Sequence, residues 1–217
     1  GKTQRVAVSG GACPKFEVAT TSRLKLPKDA PDPFLERSRL LDRFASASVR
    51  GAGPKVGLPS AGALGTYLPW TGTLLRELGA EVEVLASSGK ALAAGEHLCN
   101  SFDSCGPAKI AYAVCDTDLP WLFFPKIMGV IDGGGIGGDT CVTQQALPEM
   151  VQASLRSRGK QGTVLRPPLD FREGLDSPSL VRAAREIARA LHLPSAPARR
   201  AVTRAAAAQR EFEQARV

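Results

Sequence analysis

The residues of this sequence with the most chemistry to offer are its five cysteines, and their surroundings divide them. Cys13 stands in the turn Gly10-Gly-Ala-Cys13-Pro14, after the predicted strand Gln4–Ser9. Cys105 stands in Ser101-Phe-Asp-Ser-Cys105-Gly-Pro-Ala-Lys109, and Cys141 follows the run Gly133-Gly-Gly-Ile-Gly-Gly138. Gly or Pro flanks each loop, and each loop follows a predicted strand. Cys105 comes just before a predicted helix with Pro107 in its first turn. The unpaired N–H groups of a helix start, together with the dipole, favour a thiolate or a thiolate-bound iron–sulfur cluster. Packing as a small hydrophobe is the alternative for a free cysteine, Cys105 included. It accounts well for Cys115, at the end of the helical run Ala111-Tyr-Ala-Val-Cys115, while Cys99 is intermediate. No C-x-x-C pair occurs, which argues against zinc-ribbon and thioredoxin chemistry. Three thiolates from distant loops can hold a cubane whose fourth iron is bound elsewhere or left open.

Other chemistries find less support. His97 and His192 are the only histidines, and no Ser/His/Asp arrangement appears. There is no Walker-type phosphate loop, so ATP hydrolysis must happen elsewhere. The glycine run matches G-x-G-x-x-G in letters only, because a dinucleotide site needs a turn that opens directly into a helix. Here the helix is expected only from Leu147-Pro148. Lys126 to Thr140 therefore reads as a loop that closes flexibly over Cys141, and nucleotide or CoA binding by this loop stays a third reading.

The elements that must position these loops follow from hydrophobic periodicity. Pro33–Phe44 has the spacing of an amphipathic helix with Phe34, Leu35, Leu40, Leu41 and Phe44 turned inward. From Pro54 strands and helices alternate. The predicted strands are 55–59, 80–85, 121–124 and 162–166. The predicted helices are 65–78 with Gly79 as its stop, 87–94 behind a serine cap, 108–114 and 148–156. Ser177–Leu191, capped by Ser177, and Ala198–Arg216 are the last helices. The pattern predicts an α/β fold with a mainly parallel, Rossmann-like sheet, helices on both faces, an N-terminal arm and a C-terminal helical tail. Its divisions are 1–53 for the strand, loop and arm, 54–168 for the α/β cluster-binding domain and 169–217 for the helical segment. Ligands of such sheets bind where loops leave the carboxyl ends of the strands.

The chain of 217 residues carries 28 basic and 21 acidic side chains, a net charge of +7. Residues 1–155 hold fifteen of each sign, so the surplus lies in 156–217, with thirteen basic residues against six acids. That tail suits an acidic partner or a phosphate-bearing ligand, with a solvated helix face as the simpler account. Two Trp, two Tyr and eight Phe offer few stacking platforms, which argues against nucleic acid. No apolar run reaches the roughly 20 residues a membrane span needs, and no signal-peptide pattern appears, so a cytoplasmic setting is expected. Five scattered thiols fit a reducing compartment, and the start at Gly1 fits a piece of something longer.

The run Val56-Gly-Leu-Pro-Ser-Ala-Gly-Ala-Leu-Gly-Thr-Tyr-Leu-Pro-Trp70, the stretch Leu78–Val82, Cys105-Gly-Pro-Ala-Lys109, Phe124-Pro125 and Cys141 followed by Leu147-Pro148 together resemble the acyl-CoA dehydratase activase-related proteins. These are also called CoA-substrate-specific enzyme activases, and the module is similar to the D-component of 2-hydroxyacyl-CoA dehydratases. The resemblance implies a low-potential iron–sulfur cluster, either [4Fe–4S] or a double cubane. It implies Cys13, Cys105 and Cys141 as its ligands; a cluster so held is net negative, so Lys109 in the first turn after Cys105 would help hold it, with a solvated helix residue as the alternative. It further implies electrons delivered by an actin-like ATPase activase domain or subunit for a low-potential reduction or dehydration, and a second, similar lobe. Gly11-Ala12 and Pro14 around Cys13, and Val142 after Cys141, depart from the family pattern. The alternative is a non-catalytic α/β interaction domain that has lost its cluster.

Overall fold

A computed structural model describes residues 27, 29–45, 52–99, 104–131 and 137–215. The chain divides into two compact units, 1–36 and 37–217. In the first, Asp32 accepts from Leu35 N at 3.1 Å through Oδ1, capping the start of helix α1 (Pro33–Ala45). Leu35, expected to face inward, is 48% exposed. In the second unit Leu41 of the same helix is buried, and Arg37 Nη2 donates to the Gly65 carbonyl at 3.0 Å.

The second unit is built on a parallel sheet of β1 (Lys55–Pro59), β2 (Glu81–Leu85), β3 (Trp121–Phe123) and β6 (Thr163–Leu165), in the order β2-β1-β3-β6. Strand β1 is buried from Val56 to Pro59, as a central parallel strand must be, whereas edge strand β2 alternates. The chain leaves β1 for one neighbour and returns for the other, so a topological switch point lies between β1 and β3. The predicted α/β class and mainly parallel sheet are both present.

A region read from sequence as loop turns out to be strand. Beyond Phe124-Pro125, β4 (Lys126–Ile131) pairs antiparallel with β5 (Gly137–Asp139) and parallel with β7 (Pro168–Asp170). Ile127 is fully buried, and that apolar anchor is what holds β4 in place. Phe124 N donates to Leu165 O and Lys126 N to Pro167 O, both at 3.0 Å, so β3–β4 and β6–β7 continue one pair of strands across a proline bend. Residues 132–136 of the glycine run lie outside the described residues. Its last two glycines form β5, a hairpin arm and not a turn opening into a helix.

Helix α2 (Leu68–Leu78) follows β1 after a 3-10 turn (Gly62–Thr66) and ends on Gly79, at φ 106 as its stop position requires. Helices α3 (Ala91–Leu98) and α4 (Gly106–Val114) join β2 to β3, and α5 (Val142–Ser157) leads to β6. α4 packs on α3 and α5. Helices α6 (Pro178–Ala190) and α7 (Ala198–Ala215) complete the unit, with α7 packed on α2 and α6. Right-handed crossovers place the two groups on opposite faces of the sheet. Trp70, Phe123, Phe124, Phe171 and Phe212 fill the core. Among the described residues no helix is long and apolar enough to cross a membrane.

Candidate functional site

Helices that precede a strand in a parallel sheet run antiparallel to it, so they begin at the sheet's carboxyl end. α4 and α5 are such helices, and each begins on a cysteine. Cys105 is the N-cap of α4, at φ −67 and ψ 157. Cys141 is the N-cap of α5, at φ −62 and ψ 150. Both thiols are exposed. α5 starts six residues before the expected Leu147-Pro148, because Pro148 sits inside the helix and does not open it. The consequence is that Cys141 caps a helix and does not lie in a flexible loop.

The two helices lie side by side. Just past their carboxyl ends, Arg158 Nη1 meets Asp116 Oδ1 at 2.7 Å and Lys160 Nζ meets Asp118 Oδ1 at 2.8 Å. With those ends tied, the N-terminal cysteines stand at the opposite, common end. α5 has 16 residues and α4 has 9, a difference of 16 − 9 = 7, or about 10 Å of helix at 1.5 Å per residue. Cys141 is therefore staggered outward from Cys105.

Both helices also meet the turn that follows β1. α4 packs on Gly62–Thr66. From α5, Gln144 reaches the same turn, where its Oε1 accepts from Ala63 N at 3.0 Å. Gly62 has φ 56, and a Cβ there would overlap Gln144 Oε1. The backbone N–H of Gln144 donates to Cys141 Sγ at 3.4 Å. Sequence reading missed Gln144, whose partners lie 81 residues away.

The remaining cysteines separate. Cys115 is fully buried, and burial pushes its thiol well up. Cys99 is half-buried with Sγ 2.9 Å from Ser104 Oγ. Burial, then the neighbouring Cys99, raises the Tyr112 phenol above its ordinary value. Lys109 stands one turn past Cys105, and its Nζ lies 2.6 Å from Glu96 Oε2 with only 15% of the side chain exposed. Cys13 lies outside the described residues. Among the described residues no group of three or more His, Cys, Asp or Glu side chains could hold a metal ion. Beside Cys141 an open depression of about 410 Å³ is lined by Lys126, Met128, Val142, Gln145, Ala146 and Glu149, with Val142 81% exposed.

Residues 55–217 match the family model described as the CoA enzyme activase uncharacterised domain. The chain belongs to that family. Nothing matches among curated proteins or among solved structures. The activase-domain match starts with β1 and runs through both cysteine helices to the end of α7, so Cys105 and Cys141 lie within it and Cys13 lies before it. Two exposed thiols at helix starts, Cys105 and Cys141, are iron–sulfur ligands in kind only, since the described residues bring no third ligand to them.

Proposed function

We propose that this activase-family domain is an iron–sulfur redox module in which Cys105 and Cys141 are thiolate ligands. The observation that carries the reading is the shared placement of these two exposed cysteines, both N-caps of neighbouring helices at the carboxyl end of a parallel sheet. Cys13 joins them as third ligand on the sequence reading alone. When bound, the cluster supplies low-potential one-electron transfer. The chain's part is to hold and orient it. Helix-start N–H groups and the dipoles behind them offset its negative charge, as Gln144 N does for Cys141 Sγ. Lys109 adds a positive charge one turn from Cys105, shared with Glu96. Membership of the activase family supports an ATP-driven activase-type partner as the electron source, and a low-potential reduction or dehydration as the use of those electrons.

Anaerobic reconstitution with iron and sulfide tests this. The full chain is expected to turn brown and take up about four or eight irons, the count deciding between a single and a double cubane. Cys105→Ser and Cys141→Ser are each expected to lose iron, while Cys115→Ser keeps it. A colourless wild type overturns the reading. If the serine variants also leave folding and partner binding untouched, a non-catalytic interaction domain remains.

A further inference from the structure

Helix α6 buries its apolar face, Leu180, Val181, Ala184, Ile187 and Ala188, and leaves Arg182, Arg185, Glu186 and Arg189 exposed. With 3.6 residues per turn these four share about 100° of the helix circumference, and the three arginines form a row about 10 Å long. Among the described residues none of the three has an ion pair or a side-chain hydrogen bond, whereas basic side chains nearby in the chain do. Arg200 and Arg204 share Glu77, Arg210 takes Asp176 and Arg172 takes Asp170. The carboxylates of this part of the chain are thus engaged elsewhere. Within α6 the arrangement works against the helix, because Arg185 and Arg189 are four apart and like charges at that spacing repel. Only Arg189, in the last turn, complements the dipole. A row of guanidinium groups held apart from the chain's own acids is left for carboxylates from outside.

We propose that the outer face of α6 is a docking surface for an acidic protein partner, whose carboxylates pair with Arg182, Arg185 and Arg189. The planar guanidinium fork suits bidentate pairing with a carboxylate. Two features of the face favour a protein over other polyanions. Glu186 stands among the arginines, where it repels a continuous phosphate backbone but can be met by a basic residue of a protein surface. No large apolar side chain is exposed on α6 or α7, so the face lacks what a membrane-surface helix buries in lipid. The inference needs no bound group and stands apart from the iron–sulfur reading.

The test is fluorescence anisotropy of a labelled helical peptide with glutamates at positions i, i+3 and i+7, titrated with the full chain, beside the same peptide with glutamines. The glutamate peptide is expected to bind and the glutamine peptide not. Binding is expected to weaken as sodium chloride rises past about 0.1 M, where charges more than about 10 Å apart are screened. Joint Arg182→Glu, Arg185→Glu and Arg189→Glu substitution is expected to weaken binding about tenfold or more, as the loss of several exposed ion pairs would. Joint Arg39→Glu, Lys90→Glu and Arg156→Glu substitution changes the net charge equally at exposed sites elsewhere and is expected to leave binding unchanged. No binding of the glutamate peptide overturns the inference, and so does an equal loss in the two triple variants. Tighter binding of duplex DNA, or of phosphatidylserine vesicles, through the same three arginines overturns it in favour of that occupant. If circular dichroism shows the glutamate-substituted α6 variant unfolded, joint replacement of the three arginines by glutamine decides. Iron uptake plays no part in any of these outcomes, so the two readings fail separately.

Discussion

Arg172 lies across Gly129. A Cβ on this β4 residue would overlap the Arg172 Nε and come within 2.8 Å of its Cγ. The guanidinium thereby reaches Asp139 on β5 at 2.7 Å and pairs with Asp170 on β7, tying the two outer strands across the middle one. Asp139 is two residues before Cys141, so the tie steadies the approach to the cysteine N-cap. Gly129→Val is expected to destabilise the domain by roughly 1–3 kcal/mol through overpacking. Urea denaturation checks it. In Arg172→Ala, where the overlap is gone, the same glycine substitution is expected to cost much less.

Hydrogen bonding to Arg172 holds the Asp170 carboxyl below its ordinary value, against a smaller opposing effect of burial. Because the folded value is the lower one, the pair's contribution is complete above the ordinary aspartate value. It is lost as pH falls through the depressed folded value. The urea midpoint is therefore expected to drop on acidification below about pH 4. Asp170→Asn should flatten that part of the profile, and an unchanged slope would remove the pair as its source.

Gln209 of α7 is fully buried and serves the start of α2 from 139 residues away. Its Oε1 accepts from Trp70 N at 3.3 Å, one of the N–H groups that a helix start leaves without a partner, and its Nε2 donates to Thr66 O at 3.1 Å. Gln209→Leu leaves Trp70 N unpaired in the core and takes the donor from Thr66 O, a partly buried contact. A loss of about 1–3 kcal/mol for each unsatisfied group is expected in thermal or urea unfolding. Gln209→Glu keeps the acceptor for Trp70 but sets a buried carboxyl against Thr66 O and Glu213 Oε1, to which Gln209 Nε2 also donates at 3.0 Å, and should lose at least as much.

Local rules made much of this fold legible. Apolar runs marked β1, β2, β3 and β6 within a residue or two, and Gly79 marked the end of α2 by its need for positive φ. Where a local signal failed, tertiary structure had overruled it. Pro148 suggested a helix start, yet it sits inside α5, held by burial of Leu147 and Val151. The glycines after β4 suggested a loop, yet Gly137 and Gly138 pair with Ile131 and Val130. Ser177 occupies the N-cap of α6 without capping it, its hydroxyl lying 2.8 Å from Ser179 Oγ. Type and flanking residues singled out Cys105 and Cys141, and each proves to be a helix N-cap. Gln144 and Gln209 were not singled out, because a glutamine in an amphipathic helix looks like any polar position until its partner arrives from far along the chain.

Gln152 shows the same limit at the open edge of the sheet, and it yields a sharp test. Among the described residues strand β6 pairs with β3 on one side only, so Gly162 O and Val164 N point away from the described sheet. The Gln152 side chain, 3% exposed, satisfies both: its Nε2 donates to Gly162 O at 3.1 Å and its Oε1 accepts from Val164 N at 2.7 Å. Along this edge of the described sheet one carboxamide thus takes the place of a neighbouring strand. Gln152→Leu removes both bonds and leaves a buried donor on Val164. A loss of roughly 1–3 kcal/mol is expected, together with concentration-dependent association seen by light scattering, because the freed edge can pair with a second copy. Gln152→Glu retains the acceptor for Val164 N and should associate less. If Gln152→Leu stays monomeric at high concentration with an unchanged urea midpoint, the side chain is not what closes this edge.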